Sequence, residues 1–358
     1  MKIYLLPFPL MKQSILPGNT VLLSRPDIFT VYLVQFLKKM NNSGYILGVD
    51  TSNYKTSVAV TDRNGNIICD LRRFLKVKRG ERGLRQSDAL FQHVKNLPEL
   101  MKDVRHKFDG RFDAVAYSSR PRPVEGSYMP VFLAGESLAA SLASAMDIPS
   151  FSFSHQEGHI EAIRAYSPLK NQNRFLACHF SGGTCELLDV TSECTCYDVK
   201  IIGGTKDISL GQVIDRAGVA MGMEFPAGEE MDRLAVEADD ETELLTSIRV
   251  KDSWLNLSGI DTQIKNILMG SSDIRPKFIR EIFGKLSDAV ALMLIQGSQM
   301  TGITDILMAG GVSSSMFIRQ AVSSKLEKNG ISAVFENNGL SQDNAVGTAL
   351  LGGKKLWL

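Results

Sequence analysis

Short apolar runs broken by polar turns organise the chain from Tyr45 onward. Tyr45-Ile-Leu-Gly-Val-Asp50 and Thr56-Ser-Val-Ala-Val-Thr61 have the length and β-branched content of strands, with the polar turn Thr51-Ser-Asn53 between them. Arg63-Asn-Gly-Asn66 leads to a third run, Ile67 to Leu71, and its Asn64-Gly65 pair tolerates the positive φ angles of a tight hairpin. The pattern returns as Phe175-Leu-Ala-Cys-His-Phe180, the turn Ser181-Gly-Gly-Thr184 and Cys185-Glu-Leu-Leu-Asp-Val190, which predicts a duplicated fold. Between the two units lie a helix from about Ser87 to Lys107, a buried strand Phe112 to Tyr117, and an alanine-rich amphipathic helix through Ser137 to Met146. After the second unit come helical stretches near Gly211 to Met221 and Gly228 to Ala238, then a long helix from about Ile274 to Met300. The strand Asp305 to Ala309 follows, ending in Gly310-Gly311 before another helix. In the first helix Leu90, Val94, Leu97 and Met101 recur at helical spacing and are expected to face the core.

The first forty residues break this order. Met1 to Lys39 is apolar but interrupted by Pro7, Pro9, Pro17 and Pro26, so it predicts neither a membrane helix nor a cleaved signal. We expect the functional chain to start at Met40, with residues 1–42 a poorly ordered extension, 43–153 a first lobe and 154–358 a second lobe. A helical insertion at about 211–275 and a last helix crossing back to the first lobe complete the expectation.

Composition narrows the class. With 358 residues, 44% hydrophobic and 22% charged, the chain can bury a sizeable core. Forty Lys and Arg against 39 Asp and Glu leave no bulk charge for a polyanion, so any nucleic-acid contact needs a local patch or a partner. The run Lys76-Val-Lys-Arg79-Gly-Glu-Arg82-Gly-Leu-Arg85 is either such a phosphate-contacting loop or a solvated one. Five cysteines without a Cys-x-x-Cys pair fit reduced thiols in the cytoplasm.

The candidate chemistry begins with Ser154-His-Gln-Glu-Gly-His159. On a helix, residues four apart share a face, so His155 and His159 can reach one ion if a third ligand arrives from elsewhere; the alternative is two partly buried histidines satisfied by backbone carbonyls. The metallopeptidase pattern needs a glutamate directly after the first histidine, where this chain has Gln156; Glu157 lies roughly 200° around the helix from His155. Asp343, in Ser341-Gln-Asp-Asn-Ala-Val-Gly347, is either the cap of the final helix or the third ligand. Ser181, Gly182, Gly183, Gly310 and Gly311 form turns where backbone N–H groups can approach phosphate oxygens.

Taken in order, Gly-Val-Asp-Thr-Ser, His-x-x-x-His, Ser-Gly-Gly-Thr, Ile-Asp-Arg, Phe-Pro-Ala-Gly-Glu, Leu-Ser-Gly-Ile, Ala-Gly-Gly-Val-Ser and Asp-Asn-Ala resemble the TsaD/Gcp family across Tyr45 to Leu358. The resemblance implies an α/β fold of the duplicated actin/hexokinase/sugar-kinase (ASKHA) type, two lobes around a central nucleotide cleft. It implies an acyltransferase moving a threonylcarbamoyl group from threonylcarbamoyl-adenylate to N6 of adenosine 37, in tRNAs reading codons that begin with A. By the same resemblance His155, His159 and Asp343 hold one divalent ion, iron or zinc. Asp215, Gly228 and Asp232 would hold the ribose and adenine of a bound ATP, AMP or adenylate, and Gly310, Gly311 and Ser315 would line the nucleotide pocket. The implied partners are tRNA, a smaller TsaB-like relative and a TsaE-like ATPase.

Departures from the family pattern cluster at the expected substrate. Asn53-Tyr54-Lys55 replaces acidic residues in the first hairpin turn, and Lys55 is either a phosphate-binding, catalytic lysine or a solvated turn residue. Arg120-Pro-Arg-Pro123 replaces Gly-Pro-Gly, Thr184 stands where the family has a histidine after Gly-Gly, and Ser315 replaces an asparagine. Two alternatives therefore stand beside the transferase: a paralogue using ATP or a carbamoyl-adenylate on another acceptor, and a non-catalytic nucleotide-binding assembly partner.

Overall fold

The two hairpin units build two sheets on one plan. A computed structural model describes residues 44–358 apart from 53, 78–83, 194, 271–274 and 336–338, and Gly44–Leu358 forms one unit. In the first sheet β1 (Tyr45–Thr51), β2 (Lys55–Asp62), β3 (Ile67–Phe74), β4 (Ala114–Arg120) and β5 (Ser150–Ser154) lie in the order β3-β2-β1-β4-β5. The second contains β6 (Arg174–Phe180), β7 (Cys185–Glu193), β8 (Cys196–Thr205), β11 (Asp305–Ala309) and β12 (Ser332–Phe335), with the short β9 (Val250–Lys251) and β10 (Trp254–Leu255) beyond β8. Its order β12-β11-β6-β7-β8-β10-β9 repeats the first when read from the other end. Pairing agrees as well: β1 with β2 and β6 with β7 are antiparallel, while β1 with β4 and β6 with β11 are parallel. The duplication expected from the repeated runs is what the chain adopts, in the ASKHA arrangement that the resemblance implied.

Alternation along the strands sets the layers. Leu47, Val49, Val58 and Val60 turn one face of the first sheet to α1 (Gln86–Lys107) and α2 (Phe132–Met146), where Leu97, Leu100, Val104 and Ala139 meet them. Ile46, Ala114 and Ala116 take the opposite face. They share a core with Phe175, Ala177, Leu188 and Leu307 of the second sheet, across α3 (His155–Arg164) and α9 (Val346–Trp357). The outer face of the second sheet is covered by α4 (Leu210–Ala220), α5 (Gly228–Glu237), α6 (Ser258–Gly270), α7 (Arg275–Thr301) and α8 (Met316–Glu327). Fully buried residues such as Ile160 and Phe175 each contribute about 1.5–3 kcal/mol of apolar burial to this middle core.

Three expectations are corrected here. The strand after α1 runs from Ala114 rather than Phe112, which packs as a buried side chain before it. Val94 is 54% exposed; the buried stripe of α1 is Ala89, His93, Leu97, Leu100 and Val104, while Leu90 and Met101 are partly buried beside it. Helix α9 begins at Val346, leaving Asp343 outside it. Lys78, Arg79 and Arg82, like residues 1–42, lie outside the described residues. Among the described residues no helix is long and apolar enough to cross a membrane.

Candidate functional site

Helix α3 starts the moment β5 ends, because Ser154 and Glu157 form a capping box: Glu157 N donates to Ser154 Oγ at 3.2 Å, and Ser154 N donates to Glu157 Oε2 at 2.8 Å. Glu157 is thereby spent on the helix start, and His155 and His159 occupy the first two turns on one face. Helix α9 crosses α3 with almost no gap. A Cβ on Gly347 would sit 1.8 Å from Gly158 O, so only glycine permits the crossing. Just before α9, whose N-cap residue Ala345 makes no side-chain cap, Asn344 Oδ1 accepts from Val346 N at 2.9 Å and satisfies the first helical N–H. Asp343 is left free, and its carboxylate is aimed at the histidines.

The three groups meet. His155 Nε2 and His159 Nε2 are 3.0 Å apart, and Asp343 Oδ1 is 3.2 Å from His159 Nε2 and 3.6 Å from His155 Nε2. The other ring nitrogen of His155, Nδ1, lies 2.8 Å from Asp50 Oδ2, and Ser52 Oγ donates to Asp343 Oδ2 at 3.0 Å. Ser118 Oγ also donates to Asp50, so this carboxylate is fixed from two sides. Burial opposes charge on His155, yet the Asp50 and Asp343 carboxylates outweigh it and push its pKa up to about 10. Burial and the neighbouring His155 charge push His159 down. Burial alone would raise Asp343, but hydrogen bonds and attraction from both imidazoles hold it well below the usual carboxylate range.

A third imidazole joins them. His155, His159 and His179 offer ring nitrogens that all lie within 4.8 Å of one another, and the His159 and His179 ring centroids are 4.7 Å apart. Sequence reasoning missed His179. The signal was one polar residue in an otherwise apolar strand two positions before Ser181, a pattern that also describes an ordinary core histidine. It missed Asp50 as a histidine partner too, although Asp50 ends the first apolar run.

The glycine turns adjoin the same strand ends. Gly310, at φ 91°, lies against the backbone of Phe180; a Cβ there would be 2.3 Å from Phe180 O. The Ser181–Thr184 turn rests on the start of α4, where Ser209 Oγ donates to Gly182 O at 2.8 Å and Gly211 packs on Gly182. Gly183 and Gly311 face open space. Tyr54 reaches across from the first hairpin, its ring edge 3.9 Å from where a Gly182 Cβ would stand.

The residues expected around ribose and adenine form a second group. Asp215 Oδ1 accepts from Ala227 N at 2.9 Å and so holds the turn before Gly228; burial raises its pKa. Asp232 accepts from Met316 N at 2.8 Å and from Ser315 Oγ at 2.5 Å, bracing α5 against the start of α8. A groove of about 650 Å3 opens beside Asp232, lined also by Glu224, Glu229, Arg233 and Met316. It shares no lining residue with the histidine cluster.

Lys55 is 5% exposed, not solvated: its ammonium donates to Gln342 Oε1 and sits 4.4 Å above the Phe74 ring. Burial lowers its pKa, with Asp343 pulling the other way. Arg122 is ion-paired at 2.7 Å to Glu186, whose other oxygen accepts from Gln156 Nε2 at 2.8 Å. Arg120 donates to Ser119 Oγ at 3.4 Å. Among the described residues Cys69, Cys178, Cys185 and Cys196 are free thiols.

Comparison with known proteins gives the family. Residues 78–350 match the model for TsaD, tRNA N6-adenosine threonylcarbamoyltransferase. A protein of that name from Neorickettsia sennetsu is 29% identical over 311 residues, covering 85% of this chain and 91% of the relative. One from Thermotoga neapolitana is 27% identical over 318 residues, covering 87% and 94%. Among solved structures HypF of T. kodakarensis aligns with a TM-score of 0.58 at 14% identity; the match covers 88% of this chain and about half, 48%, of HypF, a likeness of fold alone. The chain belongs to the TsaD family of tRNA N6-adenosine threonylcarbamoyltransferases.

Proposed function

We propose that the protein transfers a threonylcarbamoyl group from threonylcarbamoyl-adenylate to N6 of adenosine 37, in tRNAs that read codons beginning with A. The observation that carries this reading is the convergence of His155, His159 and Asp343 beside the glycine turns of a TsaD-family chain. The donor set fits a divalent ion, iron or zinc. Two nitrogens each about 2.1 Å from one ion are separated by about 3.0–3.4 Å when adjacent, and the two Nε2 atoms stand 3.0 Å apart. Asp50 holds the His155 proton on Nδ1, turning the Nε2 lone pair toward the shared point. Bound by His155, His159 and Asp343, the ion supplies charge to polarise a phosphate or carbonyl oxygen.

The rest falls to the chain itself. The amine nitrogen of adenine bonds to the carbamoyl carbon, the bond from that carbon to the phosphate oxygen breaks, and the amine gives up one proton as AMP leaves. Negative charge builds on oxygen, and groups fixed beforehand stabilise it best. Lys55, held by Gln342 at the cluster, is proposed as the cation for the departing phosphate. Gly183 and Gly311, which face open space in the two turns, leave the phosphate chain room to lie on backbone. The groove beside Asp232 is rich in carboxylates, which suits ribose hydroxyls and the adenine amine rather than phosphate. The position a peptidase reading would need for its base is Gln156, and the neighbouring Glu157 is committed to the helix cap. tRNA, a TsaB-like relative and a TsaE-like ATPase are the proposed partners.

One observation favours a second reading. Lys55 and Tyr54 place a cation and a phenol where the resemblance to the TsaD/Gcp pattern implies acids, which suits the same transfer to a different acceptor. Incubating the metal-loaded protein and partner proteins with threonylcarbamoyl-adenylate and unmodified tRNA, followed by mass spectrometry of ribonuclease fragments, separates the two. Threonylcarbamoyladenosine at position 37 supports the first. Turnover of the adenylate with unmodified tRNA refutes it and leaves the second.

A further inference from the structure

His179 is buried at 5% exposure, and neither of its ring nitrogens has a hydrogen-bond partner. A buried neutral imidazole carries one N–H and one lone pair, each in need of a partner, so two orphaned nitrogens in one ring are unusual. Its direction follows from strand alternation. Phe175 and Ala177 face α3 in the middle core, and His179, two further along, takes the same face. The duplication gives this position a counterpart. Asp50 is the last residue but one of seven in β1, and His179 is the last but one of seven in β6. Each half thus sends one polar side chain from the end of its first strand into the α3 face: Asp50 to His155 at 2.8 Å, His179 to a ring centroid 4.7 Å from His159.

The obvious protein partner is already taken. Glu186 stands directly across from His179 on β7, but its two oxygens are held by Arg122 and Gln156. One ring nitrogen from each of the three histidines lies within 4.8 Å of the other two. Two ligands on opposite sides of one ion are about 4.2 Å apart, so a shift of about half an ångström brings the third imidazole into range.

We propose that His179 is a fourth protein ligand of the ion, completing a set of three imidazoles and one carboxylate. This rests on the reading of His155, His159 and Asp343 as metal ligands. With four protein donors, a tetrahedral ion has no position left for a substrate oxygen, whereas an ion that accepts five or six ligands keeps one or two. A mid-row divalent ion of higher coordination number, such as iron(II), would therefore keep a position for a substrate oxygen here where tetrahedral zinc would not.

The test titrates Co2+ into metal-free wild type and the His179→Leu variant, following the visible absorption band, with X-ray absorption on the loaded wild type. We expect one Co2+ per chain, three imidazoles around it in the wild type, and for His179→Leu at least tenfold weaker binding with an altered band. The metal-free variant should melt no lower than wild type, since leucine relieves the orphaned nitrogens. Wild-type affinity and an unchanged band in His179→Leu overturn the fourth ligand and leave the other three standing. Failure of wild type to bind Co2+ overturns both readings. If His179→Leu does not fold, the wild-type spectrum decides alone, and two imidazoles rather than three overturn the proposal.

Discussion

Asp50 Oδ2 accepts from His155 Nδ1 at 2.8 Å, and this one contact links the end of β1 to the start of α3 and fixes which His155 nitrogen faces Asp343. Asp50→Asn keeps the shape but removes the charge and can present the wrong hydrogen-bonding group. Partners of this kind tune metal affinity by about 10–100-fold. We expect that loss in chelator-competition titrations, with a far-ultraviolet spectrum like wild type. Unchanged affinity would mean that Asp50 serves only the fold.

The close crossing of α3 and α9 makes a second prediction. Gly347→Ala forces a methyl into the Gly158 carbonyl, where it would sit at 1.8 Å, so the helices must separate. Overpacking of this kind costs about 1–3 kcal/mol. Because α9 follows directly from the Asp343 loop, ion affinity should fall together with melting temperature. A variant that lost stability but bound the ion as before would uncouple the crossing from the site.

The capping box separates structure from chemistry. Ser154→Ala removes the acceptor for Glu157 N and should cost about 1 kcal/mol in urea unfolding. Glu157→Gln should leave transfer to tRNA within about twofold of wild type, since a glutamine can still reach back to Ser154 N. A collapse of transfer in Glu157→Gln, with the fold intact, would make this residue a catalytic candidate.

The pH dependence of the metal-free protein has a definite sign. His155 has a folded pKa of about 10 against an ordinary 6.5, because the Asp50 and Asp343 carboxylates overcome burial. A raised pKa stabilises the fold fully below 6.5 and loses that contribution as pH climbs from 6.5 through about 10. Metal-free protein should therefore lose stability toward alkaline pH, and the slope should flatten in His155→Gln. An ion at Nε2 must displace a proton, so binding at pH 8 should release about one proton per ion into a weak buffer. The same slope in wild type and variant would contradict the assignment.

Much of the fold was legible because strand and turn chemistry coincide in it. The runs at Tyr45 and Phe175 are apolar and bounded by Gly, Asn and Ser, so local sequence and burial agree, and even the duplication could be read. Strand β8 escaped because its ten residues mix exposed and buried positions without a steady alternation, and its place depends on β7 beside it. Val94 misled because apolar spacing marks a face without saying how wide the buried stripe is. The site was half legible. The His155–His159 spacing announced itself, but Asp343 had two meanings until the last helix proved to start at Val346, with Asn344 rather than Asp343 accepting from its first N–H. His179 and Asp50 were hidden, because which face of a strand meets α3 is settled only by how the two sheets pack.

The most direct measurement is anomalous diffraction from crystals of the protein loaded with iron or zinc, recorded across the absorption edge. The account predicts one peak per chain, about 2.0–2.2 Å from His155 Nε2, His159 Nε2 and an oxygen of Asp343. A peak elsewhere, or none at these three side chains in a protein that carries the metal, would contradict it.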